Sequence, residues 1–270
     1  MDFKDRLEFL MLLERDDPSR TVCTLCMVLH QRIRKESEDL VKVGFATPYR
    51  PCGDSRGQLK IGHGCIQSLA IDREAVELIL RAADCGEKFG LPTNVLRKSF
   101  KWEKYARCRK LYPTLSMQAR IIIRASSKHL FLRTKYRVEI DTGRSIEDQV
   151  RESHVAGCGQ DNATEQSGMV RVLNAVYGGR ASTPILCAET SYQCRFCPSD
   201  MVLEACMIGE EVFAELTVIA YRDLGPRGDH LAPHWQHQIN HFRGPDFSRT
   251  NGVYLFGSER LEKIYEEAHC

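Results

Sequence analysis

The chain has 270 residues, 43% of them hydrophobic, with 38 basic and 36 acidic side chains and a formal net charge of +2. That content supplies a sizeable core and excludes wholesale disorder. The near-balance of charge excludes a global field that would make nucleic acid or a membrane surface the default partner.

The opening stretch, "MDFKDRLEFLMLLERDDPSR", carries Asp2 and Asp5 and only a short apolar run, so it does not read as a secretory signal. Apolar runs such as "ELTVIAY" (215–221) are too short to cross a bilayer. The expectation is a cytoplasmic or nuclear protein without membrane contact. Its twelve cysteines would then be reduced, which favours metal ligation or burial over a disulfide framework.

In chain order, residues 4–15 read as an amphipathic helix whose apolar side is Leu7, Phe9, Leu10, Leu12 and Leu13 and which ends at Asp16-Asp17-Pro18. Residues 44–65, rich in Gly, Pro, Cys and His, read as an irregular loop. Asp72 can cap a second helix reaching about Ala83, with Val76, Ile79, Leu80 and Ala83 as its buried stripe, and Gly86 and "FGLP" (89–92) break it. The stretch "FKWEKYARCRKLYP" (100–113) has no clear period.

From residue 117 the pattern turns to strands, in "MQARIIIRAS" and "HLFLRTKYRVEI", with Leu130, Leu132 and Val138 inward. Residues 141–168 are polar and read as a surface loop, and 169–179 is ambiguous between helix and strand. "MVLEACMIGEEVFAELTVIAYRDLG" (201–225) reads as a hairpin around Gly209-Glu210-Glu211. A last helix runs from a Ser258 cap with Leu261, Ile264, Tyr265 and Ala268 on one face. The fold class predicted is α+β, an antiparallel sheet of hairpins with flanking helices and zinc-ribbon-like CxxC loops. One domain over 1–270 is expected, with 141–168 as the place of any sub-division.

Two CxxC pairs stand out, Cys23/Cys26 and Cys194/Cys197. Two thiolates at this spacing can share one tetrahedral ion through a tight turn. For the first, His30 and Cys52 are the nearest further ligands, with Cys65 and His63 in reserve; for the second, Cys158, His154 and Cys187 are the candidates. The competing reading is core thiols, because free cysteine is among the most buried residue types. His230, His234, His237 and His241 are spaced 4, 3 and 4, a stripe that could bind a transition metal in a metal-dependent enzyme. No carboxylate motif accompanies it, and a polar helix face is the plainer account. Phosphate-loop, dinucleotide and nucleophile-elbow motifs are absent, and nothing in the spacing brings a Ser, His and Asp together. Residues 97–112 interleave Arg97, Lys98, Lys101, Lys104, Arg107, Arg109 and Lys110 with Phe100, Trp102, Tyr105 and Tyr112, a mixture that suits a weak nucleic-acid binder or a solvated element face.

Taken together, "LEFLMLLERDDPSRTVCTLCMVLHQR", "RPCG" (50–53), "FGLP", "SMQARIIIRASSKHLFLRTKYRV", "CRFCPSDMVLEA", "AYRDLG" (220–225) and "FGSERLEKIYE" resemble, in order, the recurring segments of fungal F-box-associated uncharacterised proteins. A Cys-x-His step is expected there before the second CxxC; here Cys158 is present but Gln160 stands two positions on. The F-box, a three-helix module that docks on the Skp adaptor of a ubiquitin ligase, would precede residue 1; a degenerate F-box over 5–34 is the alternative. The resemblance implies a non-enzymatic protein-binding module with structural zinc and ubiquitin-ligase components among its partners. Fold kinship alone does not assign that role.

Overall fold

In the computed structural model, the residues described are 2–17, 20–23, 27–31, 41–43, 58–61, 69–101, 104–106, 109–111, 114–124, 127–141, 143–153, 162–178, 187–194, 199–208, 213–226 and 260–268. The centre is a six-stranded antiparallel sheet built largely from two long hairpins. The first joins β9 (Thr114–Arg124) to β10 (Ser127–Asp141), and the second joins β12 (Ser199–Ile208) to β13 (Phe213–Pro226). β10 and β13 pair along their length, from Asp141 opposite Phe213 to His129 opposite Pro226. β6 (Lys98–Lys101) closes the edge beside β9, and β11 (Cys187–Gln193) closes the edge beside β12.

Side chains alternate across a strand, so each central strand feeds two cores. On one face Leu130, Leu132, Tyr136, Val138 and Ile140 of β10 join Leu216 and Val218 of β13 in the main core. On the other face Phe131, Ile219 and Tyr221 form a smaller cluster with Leu261 and Tyr265. Burial on both faces explains why 216–225 is buried without a break. Each Leu, Ile or Val buried there contributes roughly 1.5–3 kcal/mol relative to exposure.

Helices cover the main core. α2 (Arg73–Cys85) buries Ala75, Val76, Leu78, Ile79 and Leu80, and α4 (Asn162–Gly178) buries Met169, Val172, Leu173 and Val176. α2 ends at Gly86, whose φ of 100° favours glycine, and the "FGLP" step then packs back against the helix. Gly90 lies so close to α2 that an added Cβ would sit 2.0 Å from the Leu78 carbonyl oxygen, and the Leu91 amide donates to that same carbonyl at 3.1 Å.

Four stretches that read in the sequence as loop, ambiguous, irregular or without clear period are resolved here. The polar stretch 141–168 contains α3 (Ile146–Ser153) and the first turns of α4. α3 is held by Gln149, whose amide accepts from the Asp141 amide at 2.8 Å and donates to the Asp141 carbonyl at 2.7 Å, completing the end of β10. The ambiguous 169–179 run is helical through Gly178 because it lays an apolar stripe on the sheet. The irregular region 44–65 includes β4 (Gln58–Ile61), which with β3 (Val41–Val43) and β5 (Leu69–Asp72) forms a three-stranded sheet, and the unclear 100–113 run holds β7 (Lys104–Ala106) and β8 (Arg109–Leu111).

At the N-terminus, α1 (Phe3–Asp16) begins at Asp2, whose side chain accepts from the Asp5 amide at 2.8 Å. It is followed by a two-stranded hairpin of β1 (Arg20–Cys23) and β2 (Val28–Gln31). Among the described residues of 5–34, one helix and a hairpin stand where a degenerate F-box would need three helices. The last helix, α5 (Leu261–Glu267), has Arg260 at its cap position, and the carboxylate of Asp200 from β12 accepts from the Leu261 and Glu262 amides at 2.5 and 3.4 Å; Ser258 lies outside the described residues.

Candidate functional site

The β1–β2 hairpin carries the first CxxC. Cys23 ends β1 opposite Val28, and His30 pairs with Thr21, so the backbone register sets 23 and 30 two ladder steps apart on one short hairpin. Met27, just before β2, is a buried non-glycine residue at φ 52°. A left-handed residue of this kind costs on the order of 1–2 kcal/mol and persists where surrounding contacts impose it. His30 Nε2 is buried without a hydrogen-bond partner. An orphaned imidazole nitrogen suits a metal ligand, because a buried polar atom otherwise costs about 1–3 kcal/mol. Cys26, Cys52, Cys65 and His63 lie outside the described residues.

Cys194 of the second pair is buried, as a core thiol would be, and its amide donates to the Ser199 carbonyl at 2.8 Å. Cys197, Cys158 and His154 lie outside the described residues. Cys187, considered as a further ligand for that pair, instead faces Cys206 directly across β11 and β12 and is disulfide-bonded to it, with the Cα atoms 4.2 Å apart, so the expectation that all the cysteines are reduced thiols does not hold for this pair. Strand pairing, which the spacing in sequence did not show, makes that choice. Among the described residues no three His, Cys, Asp or Glu side chains converge as a metal group. The His230–His241 stripe lies outside the described residues, as do Trp102, Arg107 and Tyr112 of the basic-aromatic segment. Arg97 precedes the short edge strand β6, which holds Lys98 and Lys101. Lysines on a sheet edge discourage pairing with another chain, which accounts for these cations without nucleic acid.

α1 presents a different kind of site. Leu10 and Glu14 are its buried side, whereas Phe9, Leu12 and Leu13 are 49%, 52% and 37% exposed. These three follow i, i+3, i+4 spacing and form one stripe turned away from the protein. The apolar side expected to pack inward therefore points largely outward. The inward position belongs to Glu14, which meets Arg81 of α2 at 3.2 Å and accepts from the Val22 amide at 3.1 Å. Arg81 also donates to the Glu14 carbonyl and, at 3.0 Å, to the Arg20 carbonyl. Nothing in the local pattern marks Glu14 as the buried member; its partner is 67 residues away.

A third cluster lies on the sheet face that carries α5. Ser127 and His129 are two apart on β10 and so share a face, and Asp223 of β13 meets them there. His129 Nε2 is 3.0 Å from Ser127 Oγ, and His129 Nδ1 is 3.0 Å from both oxygens of Asp223. Asp223 is 0% exposed and also accepts from the Gly225 amide at 2.8 Å. The "SKH" spacing hints at two members, but the third depends on the β10–β13 register. Further along the same face, Tyr221 donates to Glu266 of α5 at 2.9 Å, and Arg133 Nε lies 3.4 Å from the Tyr221 hydroxyl. Burial, together with the Glu266 carboxylate, pushes the Tyr221 phenol up to about 12, against the opposing pull of Arg133.

No helix among the described residues is long and apolar enough to cross a membrane. In comparisons with known proteins, no family model, no curated protein and no solved structure matches this chain.

Proposed function

We propose that the chain is a cytoplasmic or nuclear protein-binding module of the F-box-associated kind, with α1 as a contact face and zinc as a structural staple. The observation that carries this reading is the exposed stripe of Phe9, Leu12 and Leu13 on a helix whose opposite side is locked by a buried ion pair. Large apolar side chains held rigidly in water lose little entropy on docking, which is what a helix-in-groove contact exploits. The partner it suits is a protein with an apolar groove, and the family resemblance points to ubiquitin-ligase components.

Support for zinc comes from the hairpin register of Cys23 and from the orphaned nitrogen of His30. With Cys26 and Cys52 they form the proposed first site; Cys194, Cys197, Cys158 and His154 form the proposed second. Structural zinc couples metal binding to folding.

Tagged protein and a Phe9→Ser/Leu12→Asp variant, purified from the same cells, test the docking face. A partner recovered with the parent and lost with the equally folded variant supports it, and equal recovery with both rejects it. Metal analysis tests the staple: fewer than one zinc per chain, with folding indifferent to a chelator, would sink it.

A further inference from the structure

We propose that Ser127, His129 and Asp223 form a nucleophile relay that makes the Ser127 hydroxyl reactive toward carboxylic esters. A carboxylate only accepts hydrogen bonds, so the 3.0 Å contacts to both Asp223 oxygens place the imidazole proton on His129 Nδ1. In that tautomer the lone pair lies on Nε2, and the Ser127 hydroxyl, 3.0 Å away, is placed to donate to it. This is the order of roles by which a serine, a base and an orienting carboxylate are recognised, whatever their positions in the chain.

The surroundings suit that chemistry. Asp223 is fully buried and its orientation is fixed by the Gly225 amide at 2.8 Å, so it holds the ring and balances the imidazolium that forms. Phe131 lies along the ring, with centroids 6.5 Å apart. Ser127 sits at the rim of the sheet: His129 pairs with Pro226, the last residue of β13, and Ser127 begins β10 two residues earlier and is half-buried. A need to satisfy the buried carboxylate explains the His129–Asp223 contact. It does not call for a serine hydroxyl at the rim aligned on the other ring nitrogen.

In the reaction, Ser127 Oγ forms a bond to the ester carbonyl carbon and its proton passes to His129 Nε2. The bond to the alkoxy group then breaks, and that group takes the proton from Nε2 and leaves as the alcohol. Water, deprotonated by the same nitrogen, cleaves the acyl-serine to the carboxylic acid, and its proton passes through Nε2 back to Ser127. The sum is ester plus water to acid plus alcohol.

The test is labelling of the full chain with a fluorophosphonate, which transfers its phosphonyl group to an activated serine and releases fluoride, followed by peptide mapping. One adduct at Ser127 is expected, absent in Ser127→Ala, slowed on the order of 10²-fold or more in His129→Gln, and lost when the parent protein is unfolded in urea. Release of p-nitrophenol from p-nitrophenyl acetate should fall in the same variants. A downfield imidazole Nδ1 proton in the NMR spectrum, lost in Asp223→Asn while amide dispersion persists, would report Asp223 as the positioning residue. No adduct, an adduct unchanged in Ser127→Ala, or equal labelling of native and unfolded protein overturns the proposal. The urea comparison decides the matter even if His129→Gln does not fold.

Discussion

The guanidinium of Arg81 and the carboxylate of Glu14 form an ion pair of 3.2 Å with side chains only 1% and 6% exposed, and this pair ties α1, β1 and α2 together. Breaking one side of a buried pair leaves a desolvated charge, at a cost of about 3–5 kcal/mol, whereas replacing both by apolar residues is often far milder. Glu14→Ala is therefore expected to lower stability by about 3 kcal/mol or more, and Glu14→Leu/Arg81→Met by less than Glu14→Ala alone. Chemical denaturation of the three proteins checks this. A double variant no more stable than Glu14→Ala would overturn it.

Gly90 should not tolerate a methyl group. The added Cβ would meet the Leu78 carbonyl oxygen at 2.0 Å and the Ala82 amide nitrogen at 2.7 Å, both backbone atoms that cannot swing aside. Gly90→Ala is expected to cost at least about 1–3 kcal/mol, the usual range for overpacking. The melting temperature reads it; an unchanged value would mean that the loop can lift from α2 without loss.

Asp200 links stability to acid pH. Burial raises its carboxyl above the ordinary value of 3.8, against the opposing amides of Glu262 and Leu261, so the folded chain holds this proton more tightly than the unfolded one. The stability that goes with protonation is full below the unfolded value and is lost as pH rises through the folded one. Asp200→Asn keeps an acceptor for the α5 amides without the charge. The difference in unfolding midpoint between Asn variant and parent should shift in favour of the variant between about pH 3 and pH 7. A shift in the opposite direction would mean that the hydrogen bonds to the anion outweigh its burial.

Tyr221 does the same at the alkaline end. Its phenol is pushed up to about 12 in the folded chain, so stability is lost as pH rises from the ordinary tyrosine range near 10 through that value. The tyrosinate difference spectrum between the parent and Tyr221→Phe should emerge near the upper value. At neutral pH the Phe variant loses the bond to Glu266, worth about 0.5–1.5 kcal/mol, and α5 is loosened from the sheet. A difference spectrum that titrates near 10 would contradict this.

Helix and strand positions were legible wherever a period ran long enough to bury one side. The stripe Val76, Ile79, Leu80 placed α2, and the runs after 117 and 201 placed the two hairpins within a few residues. The pattern failed where the stabilising group is distant in sequence. The 141–168 stretch reads as loop because Gln149, which fastens α3, bonds to the backbone of Asp141 rather than joining an apolar stripe. The last helix was found but its cap was not, because Asp200 lies 61 residues away.

By itself, then, the sequence determined the α+β class and the identities of the residues available for chemistry, because periodicity and composition are local properties. Only the tertiary structure decided which of them meet. It set Cys187 against Cys206, turned Phe9, Leu12 and Leu13 outward by giving the buried side of α1 to Glu14, and brought Asp223 to His129 across 94 residues. Each outcome follows from strand register or helix docking, and both are fixed by the packing of the whole core rather than by any neighbour in the chain.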